Sequence, residues 1–355
     1  MSFSQVNNVH IKGIAACIPE NLITISSLDI FNQKEADTFT KNTGIYQKHI
    51  VPNEQMCASD LCFKAAEDII QKLNWKKEEI DILIFISQTS DYVLPATSNI
   101  LQHKLGLSNN CLCLDINLGC SAFIYGLNLI GNLLQNPSYK KAILLVGDTI
   151  SQYSSPKDKS VYPLFGDAGT ATAIEYDDSV PSIWSFILGT DGSGENAIKI
   201  NNGGARNRTN LDSFNFYENE LDASILKRNI DLNLNGVDIF NFAIKIVPSI
   251  VRDLLEKINL TTNEIDLLFL HQANLFLNET IRKKIKIDKD KTPYSIQNFG
   301  NTNGSSIPVT ITDFFKDSSF DSNNNVLMSG FGVGLSWGIV HIETKFKIET
   351  NISYL

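Results

Sequence analysis

The sequence predicts an α/β fold, a layered sandwich assembled from two duplicated halves. Three features predict it. A segment near residue 63 recurs near residue 248, each copy runs from an amphipathic helix into an apolar strand, and each half carries a glycine turn that opens a second apolar helix.

The repeat lies at an offset of 185 residues, where FKAAEDIIQKLNWKKEEIDIL (63–83) stands against PSIVRDLLEKINLTTNEIDLL (248–268). Seven of the twenty-one ungapped positions are identical, among them Asp68/Asp253, Asn74/Asn259 and Asp81/Asp266. Self-similarity of that length signals duplication. In each copy apolar residues recur at i, i+3, i+4 and i+7, the spacing of a helix with one buried face, and a polar turn then leads into IDILIFIS or IDLLFLH. An apolar run of this kind after a helix points to a parallel sheet buried on both faces. The same offset pairs Gly119-Cys120-Ser121 with Gly304-Ser305-Ser306, each ahead of an apolar, helix-like stretch. Halves too small to cover their own sheets pack helices between them, which gives the layered sandwich.

The boundary is expected near residue 176, with an N-terminal half over 1–175 and a C-terminal half over 176–355. The stretch 185–234 is rich in Gly, Asn and Asp and lacks clear periodicity. An irregular insertion of that length in a compact domain is expected to cap a site.

Composition narrows the function. A hydrophobic fraction of 43% over 355 residues fills a sizeable core. The formal charge of −9, without blocks of like charge, offers no surface for a phosphate backbone, so no nucleic-acid partner is expected. The N-terminus lacks a signal-peptide pattern and no apolar run is long enough to span a bilayer. Six cysteines without CxxC spacing fit a reducing compartment, and a cytoplasmic protein is expected. Cys111 and Cys113 alternate on one strand face without further ligands at tetrahedral spacing, so they are expected to pack; Cys17, Cys57 and Cys62 are expected to do the same. No metal site and no permanently bound cofactor is expected.

Cys120 carries the strongest chemical signal. The CLCLDIN run reads as a strand, Gly119 permits a sharp turn, and a helix begins at or near the cysteine. A helix N-terminus presents unpaired N–H groups and positive potential, which favour a thiolate and an oxyanion beside it. His271 ends the second repeat's apolar strand where the first copy has Ile86, and active sites of parallel sheets gather at the carboxyl ends of strands. His10, His49, His103 and His341 lack such a context. Asn301 lies in the turn SIQNFGNTNGSS that mirrors the Cys120 turn, where an amide could donate to a carbonyl oxygen. The glycine-rich MSGFGVGLSWG (328–338) could bring a bare backbone N–H to a ligand, completing an oxyanion hole with the N–H of Cys120. Its G-x-G-x-G spacing without a following lysine is not a nucleotide-binding pattern.

Taken together, these motifs resemble the ketoacyl-acyl-carrier-protein synthase III group of the thiolase superfamily. The resemblance runs nearly end to end, through NTGIYQKHIV (42–51), TSDYVLPATS (89–98), DINLGCSAFIYGL (115–127), FGDAGTAT (165–172), LNGVDIFNFA (234–243), HQAN (271–274), GNTNGSSIP (300–308) and GFGVGLSWG (330–338). It implies a five-layered αβαβα sandwich and a homodimer. It also implies an acyl group taken by Cys120 from a coenzyme A or acyl-carrier-protein thioester, with the N–H groups of Cys120 and Val333 as oxyanion hole. His271 and Asn301 would hold the carbonyl of a malonyl-type extender while decarboxylation yields an enolate that attacks the acyl-enzyme. Leu94, Lys159, Gly236, Asn274 and Phe331 fall on implied substrate-binding positions.

The sequence departs from the group's pattern at the coenzyme A end. Thr38 and Asn42 stand where a tryptophan and an arginine are common, Phe276 stands for a second arginine, and Lys159 alone keeps a basic group. Arginine's fork and stacking geometry have no substitute in these residues. The expected function is decarboxylative Claisen condensation in fatty-acid, polyketide or specialised acyl biosynthesis, with small-molecule thioesters and an acyl carrier protein as partners. Two alternatives stand beside it: transfer of the Cys-bound acyl group to an amine or hydroxyl, and a non-catalytic partner subunit.

Overall fold

A computed structural model describes residues 2–52, 55–218 and 225–355. Two mixed sheets form its frame. The first has six strands, in the spatial order Glu349–Tyr354, Val9–Ile18, Ala168–Tyr176, Lys141–Asp148, Ile82–Ile86, Leu112–Ile116. The second has five, in the order Ser2–Asn7, Ile183–Thr190, Ser336–Glu343, Asn325–Gly332, Leu267–Leu270. The second order repeats the first position for position and lacks only the last strand, as duplication requires.

Both copies of the repeat fold alike. Helix Ala58–Lys72, the single 3-10 turn Lys77–Glu79 and strand Ile82–Ile86 correspond to helix Gly236–Ile258, turn Thr262–Glu264 and strand Leu267–Leu270. The second helix starts well before the repeat itself, and Pro248 lies inside it. Proline cannot donate to the carbonyl four residues back. Lys284 Nζ donates to that carbonyl, on Ile244, at 3.2 Å, and the helix runs on.

Helices Ala122–Leu133 and Ser306–Phe314 lie between the sheets. The central core joins Phe123, Leu127 and Ile130 of the first and Ile307 and Ile311 of the second to Ile84, Leu144, Phe186 and Phe269 from both sheets. A helix enclosed by two sheets has no polar face, and seven of the twelve residues in Ala122–Leu133 are buried. Gly126 makes this close approach possible, because a Cβ there would meet Leu144 Cδ1 at 2.7 Å. Helix Ala58–Lys72 covers the outer face of the first sheet and helices Gly236–Ile258 and Leu275–Ile285 that of the second, so the molecule has five layers, αβαβα.

Three sequence expectations are corrected. The strands are parallel only around Ile82–Ile86 and between Leu267–Leu270, Asn325–Gly332 and the C-terminal strand's own pairing; the remaining neighbours run antiparallel. The chain ends exchange sheets, Ser2–Asn7 pairing with Ile183–Thr190 and Glu349–Tyr354 with Val9–Ile18, so a linear cut at 175 does not separate the sheets. The irregular stretch begins after Thr190, because residues 185–190 belong to a sheet strand. Its continuation holds two small antiparallel pairs, Ile198–Ile200 with Leu232–Leu234 and Tyr217–Glu218 with Leu226–Lys227. Residues 219–224 of the expected insertion lie outside the described residues. A buried ion pair, Lys227 Nζ to Asp158 at 3.2 Å, ties the stretch to the first half.

Candidate active site

The mirrored turns meet between the sheets. A Cβ on Gly304 would lie 2.9 Å from the Gly119 carbonyl oxygen, so the two glycine turns are in contact. Cys120 follows Gly119 and precedes the helix that starts at Ala122, whose N–H donates to the Gly119 carbonyl at 2.8 Å. Only 7% of Cys120 is exposed. Gly332 packs against it, since a Cβ there would lie 2.6 Å from Sγ.

Electrostatics differ from the sequence expectation of a favoured thiolate. Burial pushes the Cys120 thiol up to about 11, the N–H groups of Val333 and of Cys120 itself pull it down, and nearby Asp148 adds to the rise. Desolvation of a charged sulfur outweighs the helix terminus here. The two N–H groups are available as donors to an oxyanion.

His271 directly follows strand Leu267–Leu270 and is 2% exposed. Its backbone N–H donates to the Ser329 carbonyl at 2.9 Å, its Nδ1 lies 2.8 Å from Ser306 Oγ, and Phe331 meets the ring edge-on with centroids 5.6 Å apart. Ser306 Oγ accepts the Gln272 N–H at 3.2 Å, which leaves its own proton for Nδ1 and favours the ring proton on Nε2. Burial holds the imidazole down to about 4, and the ring is neutral at pH 7. With the thiol near 11 and the imidazole near 4, the two groups do not ionise into a resting ion pair.

Asn301 is 6% exposed and fixed by its backbone, donating to the Leu164 carbonyl at 2.8 Å and accepting from Gly166 N–H at 3.2 Å. Its Oδ1 accepts the Asn303 N–H at 3.0 Å, leaving the amide nitrogen as the end that donates. Asn303, not singled out by the sequence reading, contacts all three residues: Oδ1 is 3.2 Å from Cys120 Sγ, its N–H holds Asn301, and its backbone carbonyl reaches His271. Asp148 and Gln88 were also missed. Asp148 Oδ2 accepts from Asn303 Nδ2 at 2.9 Å, and Gln88 Oε1 lies 3.4 Å from that nitrogen. The signal for Asp148 was present, because it closes the apolar run KAILLVGD as His271 closes its own.

The remaining expected site residues are dispersed. Val333 borders a cavity of about 790 Å³ that is also lined by Gln88, Asn117, Ile198, Arg228 and Leu232. Phe331 is 1% exposed and supports the imidazole from behind. Leu94 is 79% exposed beside Val93, which lines that cavity and is fully exposed. Asn274 caps helix Leu275–Ile285, its Oδ1 accepting from Leu277 N–H at 2.8 Å, and Gly236 opens helix Gly236–Ile258. Lys159, Thr38 and Asn42 line a second cavity of about 640 Å³, where Lys159 pairs with Glu35 at 2.8 Å. Phe276 is 62% exposed and stacks on Phe240 with centroids 5.6 Å apart. Among the described residues no cluster of three or more His, Cys, Asp or Glu could hold a metal ion, and no helix is long and apolar enough to cross a membrane.

Known proteins match this architecture. Residues 114–192 match the family model described as 3-oxoacyl-[acyl-carrier-protein] synthase III, and residues 255–344 match that of its C-terminal part. Beta-ketoacyl-[acyl-carrier-protein] synthase III 2 of Halalkalibacterium halodurans is 30% identical over 347 residues, which cover 98% of this chain and 100% of the relative. The corresponding synthase III of Clostridium acetobutylicum is 31% identical over 333 residues, 94% of this chain and 98% of the relative. The crystal structure of a 3-oxoacyl-(acyl-carrier protein) synthase from Burkholderia xenovorans superposes with a TM-score of 0.89 at 34% identity, covering 99% of each chain. With matches from end to end and the same five layers, the chain belongs to the 3-oxoacyl-[acyl-carrier-protein] synthase III family of condensing enzymes.

Proposed function

We propose that this chain forms a carbon–carbon bond in two stages. Cys120 takes an acyl group from a thioester, and a malonyl-type thioester then loses carbon dioxide to give an enolate that attacks the acyl-enzyme. The observation that carries this reading is the contact of one turn residue, Asn303, with the thiol, with Asn301 and with His271. A neutral His271 and the Asn301 amide suit an enolate, because both can donate to its oxygen without presenting a strong acid to the carbanion. The N–H groups of Val333 and Cys120 suit the acyl-transfer stage.

The acyl donor in this reading is carried by an acyl carrier protein. Lys159 is engaged by Glu35, and Phe276 brings an aromatic face where a cation would grip phosphate. Exposed Lys283, Lys284 and Lys286 on or beside helix Leu275–Ile285 offer a basic surface to an acidic carrier. The reading includes a cytoplasmic homodimer, supported by the edge strand Leu112–Ile116, where Leu114 is 41% exposed, and by the exposed tip Tyr92-Val93-Leu94.

The test is intact-protein mass spectrometry after exposure to acyl thioesters, followed by malonyl-carrier addition with product analysis. An adduct mapped to Cys120 that is consumed as a 3-oxoacyl product forms supports the proposal. An adduct released only to an amine or alcohol would assign the chain to heteroatom acyl transfer instead.

A further inference from the structure

Asn303 is held more tightly than a turn asparagine needs to be. It is 3% exposed, has a backbone φ of 52°, and opens the 3-10 turn Asn303–Ser305. Its amide orientation follows from its neighbours. Nδ2 faces two acceptors, Asp148 Oδ2 at 2.9 Å and Gln88 Oε1 at 3.4 Å, so the nitrogen belongs there and the oxygen is left toward Cys120. Asp148 is itself fixed, accepting the Gln88 N–H at 2.7 Å, with Ser87 Oγ at 3.2 Å and Thr89 Oγ1 at 3.3 Å.

An amide oxygen 3.2 Å from sulfur can only accept. It stabilises S–H and repels a thiolate. The groups that bear on the thiol's charge fall into two sets. Asp148, from the end of strand Lys141–Asp148, opposes negative charge on sulfur, and His271, which shares the contact with Asn303, is neutral. The Val333 and Cys120 N–H groups favour that charge.

We propose that Asn303, clamped by Asp148, is a gate on the nucleophile: it holds the Cys120 S–H until a bound acyl thioester displaces that hydrogen bond. The cysteine is then loaded by a seated thioester and resists free electrophiles between turnovers. In the loading step the Cys120 S–H bond and the thioester's C–S bond break, and a new C–S bond forms at Cys120. The proton ends on the departing thiolate, which leaves as a thiol. Asn303 touches the reacting sulfur, and Asp148 is a positioning residue acting through it. The inference rests on Cys120 being the acylated residue.

The test follows iodoacetamide alkylation of Cys120 in the full chain from pH 7 to pH 12, a range that spans the thiol's raised midpoint, read by peptide mass spectrometry, in wild type, Asn303→Ala and Asn303→Gly. Losing one hydrogen bond to the thiol is expected to lower the alkylation midpoint by about one pH unit and to speed alkylation at pH 7.5 by about fivefold to tenfold. Asn303→Gly also removes the acceptor and adopts a φ of 52° without strain, so it should move the midpoint in the same direction and decides the matter if Asn303→Ala does not fold. A merely loosened site would speed alkylation at every pH and leave the midpoint in place. An unmoved or raised midpoint in the folded variants overturns the proposal. Alkylation needs no acyl donor, so a failed condensation reading would appear separately, as a missing acyl adduct beside a normal midpoint shift.

Discussion

Asn303 Oδ1 lies 3.2 Å from Cys120 Sγ, although the two residues are 183 positions apart in sequence. The contact exists because duplication sets two glycine turns against each other, one before each central helix. The first turn carries Cys120, the proposed nucleophile. The second supplies polar groups: Asn301, Asn303 and Ser306, the last supporting His271. In the proposed reaction this division of labour leaves each half alone chemically incomplete.

That division predicts separable defects. His271→Ala and Asn301→Ala should still acquire an acyl group at Cys120, while decarboxylation of a malonyl thioester falls by roughly 10² or more, the usual loss for one preorganised donor. Cys120→Ala should lose the adduct. Loading measured by intact mass and carbon dioxide release measured separately distinguish the stages. Normal condensation by both donor variants would falsify their assignment to the enolate stage.

Gly332 predicts a steric defect at the same sulfur. A Cβ there would come within 2.6 Å of Cys120 Sγ and 2.7 Å of its Cβ, so the cysteine or the strand must shift to admit it. Gly332→Ala should cost about 1–3 kcal/mol of stability, typical of overpacking. Acyl loading should fall at least tenfold or so, because the sulfur is pushed from the Val333 N–H. Thermal melting and loading kinetics measure both; wild-type loading in the folded variant would remove this contact from the account.

Much of the candidate site was legible because chemically distinctive residues interrupted a pattern. His271 broke an apolar strand that its own repeat copy kept apolar, and Cys120 stood between a strand-ending glycine and a helix. Asp148 obeyed the same logic at the end of KAILLVGD and was readable by it. Asn303 was not, since an asparagine in a Gly/Asn turn is what any turn prefers, and only the tertiary contact separates it from Asn298 or Asn301. The exchange of chain ends was hidden for another reason. Ser2–Asn7 is a short edge strand with one buried residue, and so little burial leaves no periodicity to read. The helix through Pro248 was hidden because its compensation, the Lys284 side chain, comes from another element.

Buried Asp148 predicts a pH signature. An unfolded aspartate ionises near 3.8, whereas burial pushes Asp148 up to about 7 despite its hydrogen bonds. Between these values the folded chain keeps a proton that the unfolded chain has released. The group therefore favours folding on the acid side and loses that contribution as pH rises through 7. His271 acts in the opposite sense, losing stability as pH falls from about 6.5 toward 4, but it is common to wild type and variant and cancels in their difference. Relative to wild type, Asp148→Asn should gain about 2–3 kcal/mol between pH 5 and pH 8. Urea unfolding at the two pH values measures it, and a difference that stays constant would show that Asp148 titrates normally.

The donor prediction concerns the second cavity and its mouth. Lys159, the basic group that remains there, is bound to Glu35 at 2.8 Å, and Thr38 spends its hydroxyl on the Lys34 carbonyl at 2.7 Å. Both already spend a donor within the chain. Phe276 presents an apolar face stacked on Phe240, where a guanidinium could stack equally well and also reach an anion. A carrier protein brings its own surface to the encounter and can dispense with those contacts, whereas free coenzyme A depends on them. Wild-type Cys120 should thus load faster from a carrier-bound acyl group than from the same group on coenzyme A. Glu35→Gln, which preserves an N3 side chain able to cap the helix at Asn32, frees Lys159, and Phe276→Arg restores a cation at the mouth. Each regained charge-assisted contact is worth about 1.5–3 kcal/mol, so Phe276→Arg should strengthen coenzyme A loading by roughly tenfold to a hundredfold. Loading rates for one acyl group on both carriers, at matched micromolar concentrations, measure the preference. Equal or faster loading of the wild type from coenzyme A would mean that Thr38, Asn42 and Phe276 do not set the donor.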